Sequence, residues 1–533
     1  MRDFNTEGPV NSAKHYCIPP LERVDLPEIL RLIHREKYFV LHAPRQTGKT
    51  STLLALADKL NATGKFRCLY VNFEPGQTAR DDVPEAMRVL LGQIADRAET
   101  RFGDEFVGDV MLKLLDRHGG HGALNVTLAQ WARARQQPLV LLIDEIDTLV
   151  GDSLISVLRQ LRAGYDQRPL GFPQSIILCG VRDPRDYRIF SSSLGENVTW
   201  GSAFNIKAKS LRLGDLTEAE VRSLLGQHTA ETGQEFAPGV IARIWRFTQG
   251  QPWLVNALAL QACFEDKAGR DRSRPIGLAA IEQAKETLIL NRVTHLDQLA
   301  NQLRDQRVRR VILPMIAGSD DARFTPRDLE YVRDLGLVAV SGPVRMANPI
   351  YAEVIPRELT LTQQAVLESL ISPAWYVLKD GSLDLPKLLE AFQGYFRENS
   401  ESWLERYGHR EAGPHLVLQT YLHRVVNGGG RITREYALAR GRSDLLIEWP
   451  RPGGTLHSNP SKHVVECKVV GERSGLKRVI REGLRQTESY MDLCGAESGH
   501  LVVFDMRPGK TWKERIFTRS PEPGQAPITV WGM

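Results

Sequence analysis

Tyr38-Phe39-Val40-Leu41-His42-Ala43-Pro44-Arg45-Gln46-Thr47-Gly48-Lys49-Thr50 is the stretch that decides the fold of the first half of this chain. Its opening, Tyr38 to Leu41, is apolar and rich in strand formers. Beyond Thr50, the segment 51–60 repeats Leu53, Leu54, Leu56, Ala57 and Leu60 at helical spacing. Strand, loop, Gly-Lys-Thr and helix in that order make a phosphate-binding loop. Its backbone N–H groups, from Arg45, Gln46, Thr47 and Gly48 onward, and the following helix N-terminus would face the phosphates of ATP. Lys49 would supply positive charge to the β and γ oxygens, and the Thr50 hydroxyl a ligand for Mg²⁺. The motif's usual first glycine is Ala43 here. That position shapes the turn and offers phosphate no side chain, so the pattern survives the change.

About ninety residues further on, Pro138-Leu139-Val140-Leu141-Leu142-Ile143 reads as a strand buried on both faces of a parallel sheet, and it ends in Asp144-Glu145. Asp144 is placed to hold Mg²⁺, directly or through water, and Glu145 to polarise an attacking water. A third apolar run, Ser175 to Val181, leads to Arg182.

The chain has 533 residues, too many for one core, so about three domains are expected. Hydrophobic content of 42%, charged content of 25% and a net charge of +5 fit a soluble, mildly basic protein able to meet nucleic acid. Six scattered cysteines without a CxxC pair argue against a zinc site or a disulfide framework and suit a reducing cytoplasm. No uninterrupted apolar run reaches the ~18–20 residues of a membrane span, and Met1 to Ser12 lacks the apolar core of a signal peptide. A cytoplasmic protein without membrane contact is the expectation.

The tail carries a second set of motifs. Arg431 to Tyr436 and Ser443 to Glu448 read as two strands joined by a glycine-containing turn, and Lys462 to Val470 as a third. Strand alternation puts Glu466 and Lys468 on one face and Cys467 on the other. Asp444 begins the neighbouring strand. Asp444 and Glu466, with the Cys467 carbonyl, could hold a divalent metal, while Lys468 prepares or holds a water in line with a scissile phosphate. Gln486 and Tyr490 are four residues apart in a helical segment from Leu476 to Leu493, so they share a face one turn apart. Glu435 has two readings, a third metal ligand brought beside Asp444 by the hairpin or a surface charge of the strand. His415 and His423 fit packed or capping roles better than metal ligation.

The first half resembles the AAA-like/STAND group of P-loop ATPases, notably its archaeal-ATPase-like branch, over roughly residues 15–360. Leu21-Glu22-Arg23 looks like the box that precedes the first strand. Gly250-Gln251-Pro252 looks like the GxP motif of a helical lid, whose proline approaches the nucleotide. In ATPases of this architecture the strand after the Asp-Glu strand carries a sensor of the γ-phosphate. Arg182 stands there, either as that sensor or as part of a solvated turn with Asp183, Arg185 and Asp186. The tail resembles the RecB-like branch of the PD-(D/E)XK nucleases over roughly 410–520, matching GxxD at Asp444, ExK at Glu466 and Lys468, and QxxxY at Gln486 and Tyr490. Relatives supply a further acid from the first helix of the domain, but Pro414 to Val426 holds none.

The expected architecture is therefore α/β and multidomain. A P-loop core with a parallel sheet (1–210) is followed by a helical lid (211–294), a winged-helix-like module (295–360), a helical linker (361–409) and a restriction-endonuclease-like α/β domain (410–533). The basic run 304–310 could read DNA or be a solvated face. The resemblances imply an ATP-regulated, Mg²⁺-dependent nuclease acting on DNA rather than RNA, with ATP-dependent homo-oligomerisation and, by analogy, a role in defence or in a mobile element. The rival readings are a regulatory ATPase whose tail grips nucleic acid without cutting, and an assembly scaffold that recruits a protein partner.

Overall fold

The computed structural model describes residues 2–533 apart from 183–187, 192–195, 200–203, 205, 291–301, 304, 318–323, 356–375, 408–413, 415–417, 420, 423–429, 436–443, 455, 457, 458, 472–474, 508 and 522–525. For 188–191, 196–199, 290, 316, 317, 398–407, 433–435 and 444 it describes the backbone alone. The chain forms two compact units, Met1–His295 with Glu330–Ile350, and Leu296–Leu329 with Tyr351–Met533.

The first unit starts with a short parallel pair, β1 (Asp3–Phe4) and β2 (His15–Tyr16), then α1 (Leu26–His34). The core continues as β3 (Tyr38–His42), α2 (Lys49–Ala62), β4 (Arg67–Asn72), α3 (Val83–Phe102), α4 (Phe106–His118), α5 (Ala123–Arg133), β5 (Leu139–Asp144), α6 (Gly151–Ala163) and β6 (Ser175–Gly180). After the strands β7 (Arg188–Ser191) and β8 (Glu196–Thr199) comes β9 (Lys207–Arg212). Five of these strands form a parallel sheet in the order β4-β5-β6-β3-β9.

The near-continuous apolar strands follow from burial on both faces. Val140 and Leu142 of β5 pack with Ile29, Leu32 and Ile33 of α1 and Leu53 and Leu56 of α2. Leu141 and Ile143, pointing the other way, pack with Met87, Leu90 and Ile94 of α3 and with Leu154 and Leu158 of α6. The polar turns at the carboxyl ends of β3 and β5 therefore emerge at the same end of the sheet, with β6 between them, where ligands bind in open α/β folds. Helices Glu218–Thr232, Val240–Thr248, Pro252–Leu260 and Leu278–Leu290 follow, in the segment read as a lid.

The segment read as winged-helix-like contains helices Gln306–Ala317 and Pro326–Asp334 and a two-rung hairpin around the Val338–Met346 bridge. The boundary between the two units runs through it. Of its basic run, Arg307 lies 2.7 Å from Asp305 and Arg310 3.7 Å from Asp328, so both charges stand against acids. Arg304 is outside the described residues.

The second unit is built on a six-stranded sheet of β10 (Arg431–Glu435), β11 (Asp444–Trp449), β12 (Ser461–Val470), β13 (Ser498–Asp505), β14 (Phe517–Arg519) and β15 (Ile528–Gly532), ordered β10-β11-β12-β13-β15-β14. Helix Leu476–Cys494 covers one face through Ile480, Tyr490 and Met491 against Val464, Leu501 and Val503. Helix Leu385–Tyr407 covers the other, with Phe392 and Phe396 against Phe504 and Gln393 Nε2 donating to the Gly532 carbonyl (2.8 Å). Trp449 Nε1 donates to the Gly381 carbonyl (2.8 Å). This corrects the expected helical linker: residues 376–407 are part of the C-terminal unit. The apolar stripe of that helix, Leu388, Leu389, Phe392 and Phe396, is buried because the second face of the sheet needs a cover. Residues 361–375 are outside the described set.

Asp104, just after α3, is a buried junction. Its carboxylate accepts from Arg67 Nη2 (2.7 Å), Arg135 Nη2 (2.5 Å) and Trp131 Nε1 (2.9 Å). Burial works to raise its pKa, but Arg135 and Trp131 overcome this and hold it well below the usual carboxylate range. A depressed folded-state pKa contributes stability that is complete above the ordinary value of about 4 and is lost as pH falls through the folded value. Asp104→Ala should destabilise the first unit by about 2 kcal/mol, because it leaves the buried Trp131 N–H and two half-buried arginines without their acceptor. Thermal unfolding at pH 7 and at pH 3 checks this, with a smaller difference between variant and wild type expected at the lower pH.

Candidate functional site

The turn after β3 is held in a shape that few sequences adopt. Gln46 has φ 58° and Gly48 φ 97°, both left-handed. The φ of Gly48 calls for glycine, and a Cβ there, 2.7 Å from Arg23 Nη1, would also push the Arg23 guanidinium aside. Lys49 is buried, and its ammonium donates to the Ala43 and Pro44 carbonyls at 3.0 Å each. That grip ties the lysine back onto its own loop. It also shows why alanine serves at position 43: the backbone carbonyl, not a side chain, makes the contact.

Strand β5 delivers Asp144 to the same place. Thr50 Oγ1, in the first turn of α2, donates to Asp144 Oδ2 at 2.7 Å, joining the two sequence-predicted metal ligands. Tyr70, at the end of β4, donates to the same oxygen at 3.1 Å. Sequence reading missed Tyr70. Its only signal was a tyrosine on the strand paired in register with the Asp144 strand, where Tyr70 stands opposite Leu142. Glu145 follows in the left-handed conformation, φ 53°. Such a residue is strained by ~1–3 kcal/mol, a cost met mainly at functional sites. Burial pushes its carboxyl pKa up, and the charge of Lys49 opposes the shift.

Arg23, expected only as part of the box before the first strand, is a staple. Its Nη1 donates to the Thr47 carbonyl (2.6 Å) and its Nη2 to the Gly214 carbonyl (2.8 Å), tying the phosphate loop to the start of the lid. Pro252 begins its helix, capped by the Gln251 side chain, which accepts from Leu254 N at 2.6 Å. Gly250 packs so tightly on Leu216 that any Cβ would overlap its carbonyl oxygen, 1.9 Å away. These contacts set Pro252 in the wall of a pocket shared with Arg23, Gln46, Gly48, Ile18 and Trp253.

The residues ahead of α1 close that pocket, which no motif announced. Trp253 Nε1 donates to the Thr6 carbonyl (2.9 Å), Val10 N donates to Ser51 Oγ (3.0 Å), and the Gln227 amide both accepts from Cys17 N (3.2 Å) and donates to Cys17 O (2.8 Å). The strap thus bridges α2 and the lid. Arg182 rests over the Tyr331 ring at 5.1 Å. At the base of the loop, Arg212 Nη1 donates to Asp334 Oδ1 at 2.9 Å, and His42 Nδ1 lies 3.8 Å from the same oxygen.

In the C-terminal unit the strand register aligns acidic positions. Glu435 stands opposite Asp444 across β10 and β11. The β11–β12 register pairs Leu445 with Val465, so its next position sets Asp444 opposite Glu466, and Glu466 pairs in turn with Leu501 of β13. Residues in one such row share a face of the sheet. The side chains of Glu435 and Asp444 are outside the described set. Glu466 is buried, and Lys468 Nζ lies 2.7 Å from its Oε1, two residues along the same face. The Cys467 thiol is buried on the opposite face, which leaves only its carbonyl for the expected metal. Helix Leu476–Cys494 crosses above the row. Gly483 lets it descend, since a Cβ there would stand 2.6 Å from Leu501 Cδ1. Tyr490 is buried on that side, and among the described residues Gln486 Oε1 is buried without a hydrogen-bond partner. Among described side chains, no three of His, Cys, Asp and Glu cluster as a metal site. His415, His423 and Glu411 are outside the described residues.

Two substitutions probe the nucleotide site. Lys49→Ala should weaken ATP binding by ~100-fold or more, since charge-assisted hydrogen bonds are the strong ones. Arg23→Ala should weaken it by ~10-fold, because the loop loses its tie to the lid while its cation remains. Titration with a fluorescent ATP analogue reads both.

Residues 33–187 match a model of the AAA domain. No curated protein matches the chain. Among solved structures, a Walker-type ATPase of Pyrococcus abyssi is similar at 12% identity with a TM-score of 0.44, over 66% of this chain and 99% of that one. The Orc1 protein of Aeropyrum pernix in complex with DNA is similar at 16% identity with a TM-score of 0.33, over 67% and 95%. Cdc6p of Pyrobaculum aerophilum is similar at 15% identity with a TM-score of 0.35, over 66% and 94%. No helix among the described residues is long and apolar enough to cross a membrane. With its phosphate loop, its Asp-Glu strand and this domain match, the first unit contains an AAA-type P-loop ATPase domain.

Proposed function

We propose that this chain is an ATP-regulated nuclease, in which the AAA-type unit binds and hydrolyses ATP with Mg²⁺ and the C-terminal unit hydrolyses phosphodiester bonds in nucleic acid, DNA in preference to RNA. The observation that carries the nuclease half is the row Glu435, Asp444 and Glu466 on three adjacent strands, with Lys468 against Glu466 and the Gln486–Tyr490 helix above.

Both sites fit Mg²⁺ by the chemistry of their donors. At the ATPase site a hydroxyl and a carboxylate already meet at 2.7 Å between Thr50 and Asp144, the hard oxygen ligands that Mg²⁺ takes beside phosphate. At the nuclease site Asp444 and Glu466, with Glu435 and the Cys467 carbonyl, would hold the ion. When bound, it supplies Lewis-acid polarisation of the phosphate and lowers the pKa of a bound water.

The protein's own groups do the rest. Lys49 and the loop amides hold the β and γ phosphates, and Glu145 orients the attacking water. Its burial-raised pKa suits a group that takes up a proton. In the tail, Lys468 holds the nucleophilic water near the scissile phosphate and balances the developing charge. Gln486 offers its amide to the substrate or to the ligand shell, and Tyr490 fixes the helix over the row.

The experiment is a cleavage assay on duplex DNA and on RNA with Mg²⁺ or Mn²⁺, with and without ATP. Asp444→Ala and Lys468→Ala should each lower the rate by ~100-fold or more, on the scale of losing a charge-stabilising group. Lys49→Ala should remove the response to ATP. Equal cleavage by wild type, Asp444→Ala and Lys468→Ala would sink the proposal. Binding of nucleic acid without cleavage in any metal would favour a gripping module over a cutting one.

A further inference from the structure

We infer that the exposed face of helix Leu476–Cys494 is a phosphate-backbone rail for nucleic acid, led by Arg478 and Arg485 at the crest of the helix that covers the acidic row. The inference rests on the nuclease reading for its direction, but it concerns binding and is tested without metal.

Lys477, Arg478, Arg481 and Arg485 are all exposed, and among the described residues no ion-pair partner is found for any of them. At about 100° per residue, Lys477, Arg481, Arg485 and Arg478 fall near 0°, 40°, 80° and 100° around the helix axis. The four cations therefore lie within roughly a third of the circumference. Glu482 is the sole acid among the first ten residues of the helix, whereas Glu488 and Asp492 lie in its second half. Local helix energetics do not account for this distribution. Cations near a helix N-terminus oppose the macrodipole, which favours acids there. An anionic partner does account for it.

The helix's orientation on the sheet says which way the rail faces. By the same helical spacing, Thr487 and Met491 fall on the side turned away from Arg478 and Arg485. They meet Gly499 of β13, whose own neighbour is Ile528 of β15. Tyr490 and Gln486 fall between that side and the two arginines. Theirs is the flank toward β12 and β11, where Val464 and Leu446 join Tyr490 in one apolar cluster. Exposed Glu482 comes next, near 140°, and Arg478 and Arg485 follow at the crest of the helix, on the side away from the sheet. Their level also matches. Gly483 contacts Leu501, and Leu501 is the register partner of Glu466. Arg481 and Arg485 therefore flank, along the helix, the level of the acidic row. A strand with its scissile phosphate near Glu466 and Lys468 would carry neighbouring phosphates past Gln486 and over Glu482 to Arg485 and Arg478 at the crest of the helix. The partner's chemistry is that of a regularly spaced polyanion, and contacts of this kind position it without reading sequence.

The test is fluorescence anisotropy of the full chain with a labelled duplex DNA and a labelled single-stranded RNA, in EDTA, over a series of salt concentrations. Each phosphate contact adds about 0.9 to the slope of log affinity against log salt on duplex DNA. Arg478→Gln with Arg485→Gln should lower that slope by roughly 2, and adding Lys477→Gln and Arg481→Gln should lower it further. Lys513→Gln, on the exposed helix Trp512–Arg515 of the same unit, should leave it unchanged. Circular dichroism melting shows that each variant remains folded. An unchanged slope in the double and quadruple variants, or no binding of either nucleic acid by the wild type, overturns the rail. A reduced slope in a chain that never cleaves keeps the rail and removes the nuclease reading. Metal-dependent cleavage with an unchanged slope does the reverse.

Discussion

The first unit depends on one constraint. The turn from β3 into α2 must present a run of backbone N–H groups outward while its lysine stays close. Gly48 in the left-handed region and the Lys49 ammonium on the Ala43 and Pro44 carbonyls meet it from inside the loop. Arg23 meets it from outside by holding the Thr47 carbonyl. The flanking elements then need only deliver Asp144 and Pro252 to a loop whose shape is already set. The buried parallel sheet delivers the first, and the tight Gly250–Leu216 contact delivers the second.

The C-terminal unit meets a different constraint, the burial of a carboxylate. Glu466 is almost fully enclosed, and an isolated buried charge is costly. Lys468 at 2.7 Å offsets part of that cost on the same strand. A buried glutamate kept next to a lysine, in register with two further acidic positions, stabilises a fold poorly compared with an apolar row. The covering helix packs on an apolar patch of the same face, Val464, Leu501, Val503 and Val530.

Much of the phosphate loop, and of the arrangement in the tail, could be read along the chain because the motifs are local. Gly48-Lys49-Thr50 carries its own turn and helix start, Glu466 and Lys468 need only strand alternation, and Gln486 and Tyr490 need only helical spacing. The Glu435–Asp444 pairing was open in the sequence, and the hairpin register joins the two positions. Tyr70, the strap at residues 6–17 and the Arg212–Asp334 contact were illegible, since each joins segments tens to hundreds of residues apart. Helix Leu385–Tyr407 was misplaced for a related reason. Its aromatic stripe shows that it packs on something, but not on what.

The chain alone thus determined the local chemistry: which loop cradles phosphate, which strand ends in Asp144 and Glu145, and which face carries Glu466 and Lys468. These follow from nearest-neighbour sterics and from periods of 2 and 3.6 residues. Only the tertiary structure decided the partners: Thr50 with Asp144, Arg23 with Thr47 and Gly214, Glu435 in line with Asp444 and Glu466. Sheet order, register and packing are set by burying whole faces at once, and no short window of sequence carries that collective term.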